Sequence, residues 1–128
     1  MSQAAKTILV VDDEPDFRTY IATVLADEGY AIVTAEDGED GLAKLAACTP
    51  DLVTLDVTMP TASGVKLYRE LRENDAWKKI PVIFITGISQ EFEKFISSRK
   101  QVPPPDGYVA KPIDRAALLA QVSKLLAA

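Results

Sequence analysis

The chain has 128 residues, of which 48% are hydrophobic and 26% are charged, and its formal net charge is −5. This length and balance indicate one globular domain with one core, and the negative charge argues against a nucleic-acid partner. The sequence contains no histidine, which excludes Ser-His-Asp and Cys-His nucleophile pairs and imidazole metal sites. Any metal would therefore be bound by oxygen, which favours magnesium or calcium.

The sequence also bears on the cellular compartment. No apolar run approaches the length of a membrane-spanning helix, and residues 1–7 lack the apolar core of a signal peptide. Cys48 is the single cysteine, so no internal disulfide is possible, as is usual in a reducing compartment. We therefore expect a cytoplasmic protein without a membrane partner.

Short apolar runs alternate along the chain with longer segments of helical periodicity. The short runs predict strands at 7–11, 30–35, 51–56, 80–86 and 108–110. A helical pattern follows each strand, with apolar faces that contain Ile21 and Leu25, Leu42 and Leu45, Leu67 and Leu71, Phe92 and Ile96, and Leu118 and Val122. Pro15 and Gly29 should bound the first helix, Ser63 can cap the third, and Asp114 should cap the last.

Five strand–helix units use the whole chain and leave no linker or second domain, so we predict one domain over 1–128 with its core at about 6–127. Strands that are apolar at nearly every position are buried on both faces, which is typical of a parallel sheet between two helical layers. With right-handed crossovers, the pattern predicts an α/β fold, a doubly wound (βα)5 three-layer sandwich.

Residues that could bind a ligand or take part in a reaction stand at or just after the ends of four strands. Asp12 and Asp13 follow the first, Asp56 ends the third, Thr86 ends the fourth, and Lys111 follows the fifth. Ligands of open α/β sheets bind at this edge, so these side chains should converge on one crevice. Clustered carboxylates need a cation such as Mg²⁺, and an ammonium and a hydroxyl beside them would assist phosphoryl transfer to a carboxylate.

Each of these residues, taken alone, also has an ordinary structural explanation. The acids after the first strand could cap a helix, and Asp56 could begin a turn. Thr86 could be a β-branched strand residue, and Lys111 could be solvated surface. The explanations are good one at a time and poor together, because every strand end would carry matching chemistry by accident.

Four segments resemble the receiver domain of two-component response regulators, from about residue 6 to the end. They are "ILVVDDEP" after residue 7, "LVTLDVTMPTASG" after 51, "IPVIFITG" after 79 and "YVAKPI" after 107. The resemblance is to the stand-alone, single-domain type found among chemotaxis regulators. It implies the flavodoxin-like strand order 2-1-3-4-5 and a Lys111–Pro112 peptide bond that is often cis in the family.

The resemblance implies a role for each matching residue. Asp56 matches the phosphoacceptor, and Thr86 and Lys111 match the groups that contact the phosphoryl group. Asp13 matches a direct Mg²⁺ ligand, and Asp12 matches one that acts directly or through water. Asp56 and the backbone carbonyl of Thr58 match the other protein ligands of the metal. Thr86 and Tyr108 match the pair that switches when the phosphoryl group is present.

The implied function is signalling rather than metabolism. The phosphoryl group would come from a phosphohistidine of a sensor histidine kinase or a histidine phosphotransfer protein, and the signal would leave through a downstream protein partner or by relay. We expect no metabolic enzyme activity beyond self-phosphorylation and autodephosphorylation, and a monomer or weak dimer. No output domain follows the receiver pattern in this sequence.

The sequence departs from the family pattern in two places. Ser63 stands where the family often has Asp, and residues 101–107 contain three consecutive prolines where small residues are usual. Three prolines cannot continue a helix, so the fourth helix should be short or displaced, and we expect residues 90–108 to respond to phosphorylation and bind the partner.

Two other functions compete with phosphoacceptor signalling. A haloacid-dehalogenase-type phosphatase also uses an aspartate nucleophile and magnesium, but it needs a second Asp two residues later, where this chain has Thr58. The other alternative is a phosphorylation-independent interaction module on the same fold. Such modules usually lack one or more site residues, whereas all five positions are filled here.

Overall fold

A computed structural model of the chain describes residues 5–57, 63–86 and 105–127. The strands are β1 (Thr7–Val11), β2 (Ala31–Ala35), β3 (Leu52–Asp56), β4 (Val82–Thr86) and β5 (Gly107–Ala110). The helices are α1 (Pro15–Asp27), α2 (Gly38–Cys48), α3 (Ser63–Glu73) and α4 (Arg115–Leu126). The predicted helix around Phe92 and Ile96 lies outside the described residues, so α4 is the helix predicted to close the chain.

The five strands form one parallel sheet in the order β2-β1-β3-β4-β5, which confirms the predicted fold class. Every residue of β3 and β4 is buried, as their continuous apolar sequences require, whereas β2 and β5 are partly exposed edge strands. Because all strands run in the same direction, the carboxyl ends of β1, β3 and β4 meet along one edge of the sheet.

Helices cover both faces of the sheet. Alternate strand residues point to opposite faces, so Ile8 and Val10 pack with Ile21 of α1 and Leu118 of α4. Leu9 and Val11 belong to the opposite core, together with Leu45 of α2 and with Leu67 and Leu71 of α3. The molecule is therefore the three-layer sandwich that the sequence predicts. None of the helices in the described segments is long and apolar enough to cross a membrane.

Helix ends follow the residues that predicted them. Pro15 opens α1, and Gly29 follows its end with φ of +96°, a conformation that favours glycine. The Asp114 carboxylate caps α4 by accepting a hydrogen bond of 3.0 Å from the backbone N–H of Ala116. Helix α3 begins at Ser63 itself, and the residue before it lies outside the described segments.

The strands β2, β3 and β4 begin one or two residues later than predicted, and β5 begins one residue earlier. The backbone N–H of Tyr30 donates to the carbonyl of Leu25, so Tyr30 belongs to the end of α1 and β2 starts at Ala31. Ile80 belongs to a turn in the same way, because its N–H donates to the carbonyl of Trp77. These local backbone hydrogen bonds lie outside the sheet and determine where β2 and β4 start. The apolar pattern of the sequence does not encode such bonds.

Candidate functional site

Four carboxylates meet at the carboxyl end of the central strands. β1 ends just before Asp12, β3 ends at Asp56, and these two strands are neighbours in the sheet. One oxygen each from Asp12, Asp13, Glu14 and Asp56 lies within 4.8 Å of the others. Asp12 and Asp56 are buried, whereas Glu14 is exposed. The structure therefore brings together the three acids that the sequence singled out and adds Glu14 as a fourth.

The ammonium of Lys111 lies inside this cluster. Its Nζ is 2.7 Å from Oε1 of Glu14 and 3.2 Å from Oδ2 of both Asp12 and Asp56. The side chain is only 7% exposed, and Nζ lies 4.2 Å from the centre of the Phe17 ring. Lys111 is thus a buried partner of the acids and not a solvated surface residue.

The position of Lys111 follows from the sheet. Strand β5 ends at Ala110, which pairs with Thr86 at the end of β4. One residue later the backbone N–H of Lys111 donates a 2.7 Å hydrogen bond to the carbonyl of Thr86. The peptide bond from Lys111 to Pro112 is cis, as the resemblance implied.

Burial and like charge both act on the acids. The pKa of Asp12 is raised to about 6, chiefly by burial and further by the charge of Asp56, although the Glu14 N–H and Lys111 oppose the shift. The pKa of Asp13 is raised by the same two causes, burial first and then Asp56. Both shifts mean that the site resists carrying its full negative charge without further positive charge.

Burial and neighbouring charges also act on the pKa of Lys111, but they oppose each other there. Burial is the largest single effect and would lower its pKa, but the hydrogen bond to Glu14 and the charges of Asp56 and Asp12 together raise it. Lys111 therefore remains a cation, which offsets one of the four carboxylates.

The oxygens of Asp12 differ in their partners. Oδ1 accepts a 2.9 Å hydrogen bond from the N–H of Glu14, and the carbonyl accepts one of 2.8 Å from Nη1 of Arg18. Oδ2 is buried and has no hydrogen-bond partner within the described residues, although it stands in an ion pair with Lys111. A buried carboxylate oxygen without a hydrogen bond, beside other carboxylates, suits a hard divalent cation such as Mg²⁺.

The other predicted site residues have different placements. Thr86 is buried at the end of β4, one residue beyond the partner of Asp56 in the sheet register. Tyr108 is half-buried in β5, where its ring packs edge-on against Phe84 at a centroid distance of 5.9 Å. Thr58, whose backbone carbonyl is a predicted metal ligand, lies outside the described residues, so that role stays a prediction.

Three neighbours of the site had no predicted role there. Glu14 accepts a hydrogen bond from Lys111, the Phe17 ring packs against the Lys111 ammonium, and Arg18 donates to the carbonyl of Asp12. Glu14 and Phe17 stand three residues apart at the start of α1. Their spacing of three residues on the first turn of α1 was the available signal, since such residues share one helical face.

Comparison with known proteins identifies the class. The profile of the response regulator receiver domain matches residues 8–123. Protein PilH of Pseudomonas aeruginosa is 33% identical over 120 residues, which cover 94% of this chain and 97% of PilH. The chain therefore belongs to the receiver domain family of response regulators.

Other curated relatives are longer proteins. The alkaline phosphatase synthesis transcriptional regulatory protein PhoP of Bacillus subtilis is 34% identical over 121 residues. That match covers 94% of this chain but 48% of PhoP, so the chain spans about half the length of this relative.

Solved structures share the fold. The chemotaxis protein CheY4 of Vibrio cholerae superimposes with a TM-score of 0.84 at 28% identity, covering 96% of this chain and all of CheY4 (100%). The response regulator TrrA of Thermotoga maritima, in complex with Mg²⁺-BeF, gives a TM-score of 0.80 at 39% identity. That match covers 94% of this chain and 99% of TrrA.

Proposed function

We propose that this chain is a phosphoacceptor of two-component signalling. Asp56 takes a phosphoryl group from a phosphohistidine of a sensor histidine kinase or a histidine phosphotransfer protein. Mg²⁺ is the cofactor, and a downstream protein reads the phosphorylated state or receives the group by relay. The chain catalyses its own phosphorylation and dephosphorylation and no metabolic reaction.

One observation carries this proposal. Asp56 is a buried carboxylate whose Oδ2 lies 3.2 Å from the ammonium of Lys111, within a cluster of three further acids. A carboxylate nucleophile needs nearby positive charge, because the incoming phosphoryl group is itself anionic. Lys111 supplies one such charge, and Oδ2 of Asp12, which accepts no hydrogen bond from the described residues, could bind a second cation.

Asp12, Asp13 and Asp56, with the backbone carbonyl of Thr58, would hold Mg²⁺, and the ion supplies positive charge to the phosphoryl oxygens when bound. Lys111 fits the role of a second positive charge at the same oxygens, since its ammonium already lies beside Asp56. Thr86 offers a hydroxyl donor from the end of the neighbouring strand β4. These residues orient the group and stabilise its charge.

Phosphorylation and dephosphorylation of Asp56 are each a displacement at phosphorus. An oxygen of Asp56 attacks phosphorus, and the bond from phosphorus to the donor's imidazole nitrogen breaks with its electron pair returning to the ring. The imidazole takes a proton from solvent, and Asp56 becomes an acyl phosphate. Hydrolysis removes the phosphoryl group. Water attacks phosphorus, the bond from phosphorus to the carboxyl oxygen breaks, and the Asp56 carboxylate and inorganic phosphate are formed.

Acetyl phosphate tests this proposal without a cognate kinase. With Mg²⁺ present, intact-mass measurement should detect one added phosphoryl group on the wild type and none on Asp56→Asn. Asp27→Asn, an exposed carboxylate at the end of α1, is the matched control and should be labelled like the wild type. Equal labelling of Asp56→Asn would refute the assignment, and an unlabelled wild type would favour a phosphorylation-independent interaction module.

A further inference from the structure

Glu14 makes the shortest contact with Lys111, although it is the most exposed of its partners. The distance from Nζ to Oε1 of Glu14 is 2.7 Å, against 3.2 Å to Asp12 and to Asp56. The Glu14 side chain is 53% exposed, whereas those of Asp12 and Asp56 are each 1% exposed. Glu14 therefore contacts the ammonium with a side chain that is more than half exposed, whereas the two aspartates contact it from the buried part of the site.

The carboxylate of Glu14 is also not used to cap its helix. Glu14 is the N-cap residue of α1, but its side chain makes no capping hydrogen bond. Instead it reaches across to Lys111, which lies 97 residues away in the chain. With Phe17 one turn further along α1, it forms a cradle around the ammonium.

This arrangement matters when a divalent cation enters. The cation and the ammonium repel each other, and both draw on the oxygens of Asp12 and Asp56. A cation held by those oxygens would deprive Lys111 of two of its three carboxylate partners. Glu14 would be the partner that remains, because its contact is the shortest of the three and its side chain is the most exposed.

We propose that Glu14 is a positioning residue that keeps the Lys111 ammonium beside Asp56 while a divalent cation occupies Asp12, Asp13 and Asp56. It acts through Lys111 and is not itself a metal ligand. This inference rests on the proposed function, since it concerns the same site, and it assigns Glu14 to the lysine although the carboxylate lies near enough to be counted with the acids.

Two measurements separate these roles. Calorimetry of Mg²⁺ binding should show that Glu14→Gln changes the dissociation constant less than about three-fold, the small effect of losing one neighbouring charge. At saturating Mg²⁺, beryllofluoride should bind Glu14→Gln about ten-fold more weakly than wild type, the scale on which groups that orient a ligand act. Asp16→Asn removes a charge from the same helical turn and should change neither constant, since Asp16 makes no ion pair with Lys111 among the described residues.

A third measurement does not require a phosphoryl mimic. The ¹⁵N signal of the Lys111 ammonium should stay sharp in the Mg²⁺-loaded wild type and in Asp16→Asn, and should broaden by solvent exchange in Glu14→Gln. Glu14→Asp, which keeps the charge on a shorter side chain, should restore part of the signal.

In a Lys111→Met background, Glu14→Gln should cause no further loss of beryllofluoride affinity.

The outcomes are distinct. A ten-fold or larger loss of Mg²⁺ affinity in Glu14→Gln alone would make Glu14 a metal ligand and overturn the inference. A sharp Lys111 signal in Mg²⁺-loaded Glu14→Gln would also overturn it. A wild type that binds Mg²⁺ but not beryllofluoride contradicts only the proposed phosphoacceptor function, whereas one that binds no Mg²⁺ contradicts both.

Discussion

Arg72 and Asp106 form a 2.8 Å ion pair that ties helix α3 to the residue before strand β5. The same Asp106 oxygen accepts a 2.8 Å hydrogen bond from the N–H of Val82 at the start of β4. Arg72 also donates to the carbonyls of Lys78 and Ile80. The guanidinium thus joins three segments at the end of the sheet opposite the acids.

Removing this guanidinium should destabilise the fold. Arg72→Met removes the hydrogen bonds to the two carbonyls and the ion pair with Asp106, so we expect the free energy of unfolding to fall by about 2 kcal/mol. Urea denaturation measures the change. Lys78→Met removes the exposed ion pair with Asp75 and should cost less than about 0.5 kcal/mol. Equal losses for the two variants would show that Arg72 has no special role.

Magnesium should stabilise the folded protein. Mg²⁺ binds the clustered acids only when the chain is folded, so at 100 times its dissociation constant it should add about 2.7 kcal/mol to the free energy of unfolding. Asp13→Asn should lose most of that gain at the same Mg²⁺ concentration, whereas Asp27→Asn should keep it. A wild-type unfolding midpoint that ignores Mg²⁺ would count against the metal site.

The raised pKa of Asp12 predicts the pH dependence of the metal-free protein. Its pKa is about 6 in the folded chain against 3.8 for the ordinary group, so the folded state binds the proton more tightly. Stability from this group is complete below about pH 4 and is lost as the pH rises through 6, at most about 3 kcal/mol. In Asp12→Asn this decline should disappear, and in Asp27→Asn it should persist. An unchanged slope in Asp12→Asn would contradict the assignment.

The same proton should compete with the cation. Below pH 6 Asp12 must lose a proton before it can bind a metal, so Mg²⁺ affinity should fall as the pH drops. Calorimetry at pH 5 and pH 7.5 measures the difference, and a constant affinity over that range would exclude Asp12 as a ligand.

Thr54 offers a test of stability away from the chemistry. Its hydroxyl is fully buried in β3 and has no hydrogen-bond partner within the described residues. Thr54→Val replaces the hydroxyl with a methyl group of similar size, so the free energy of unfolding should rise by about 1 kcal/mol. Thr34→Val, on the exposed edge strand β2, should change it by less than about 0.5 kcal/mol. A loss of stability in Thr54→Val would mean that the hydroxyl has a partner after all.

Most of the fold follows from local sequence patterns. Runs such as residues 52–55 are buried at every position, which is typical of central strands in a parallel sheet. Parallel strands then bring their ends together, which is why Asp12, Asp56 and Lys111 could be placed near one another before the structure was known. The predicted response of residues 90–108 falls mainly outside the described segments and stays a prediction.

The contacts that sequence analysis missed are long-range pairs between flexible side chains. Arg72 meets Asp106 across 34 residues, and Lys111 meets Glu14 across 97. Neither pair leaves a periodic signal, because its geometry depends on how far each side chain reaches once the helices are packed. Only the three-dimensional arrangement separates Glu14, which binds Lys111, from Asp16, which is exposed on the same turn.

The length of strand β5 sets the distance between Asp106 at one end of the sheet and Lys111 at the other. Asp106 is fixed to the start of β4 by reciprocal hydrogen bonds with Val82, and Lys111 is fixed to the end of β4 through the Thr86 carbonyl. A residue inserted between these two points would move the ammonium by about 3.3 Å and turn the following side chain to the other face. The number of residues from Asp106 to Lys111 therefore sets the reach of the ammonium to Asp56, so a change in the length of this short strand should displace Lys111 from the acids.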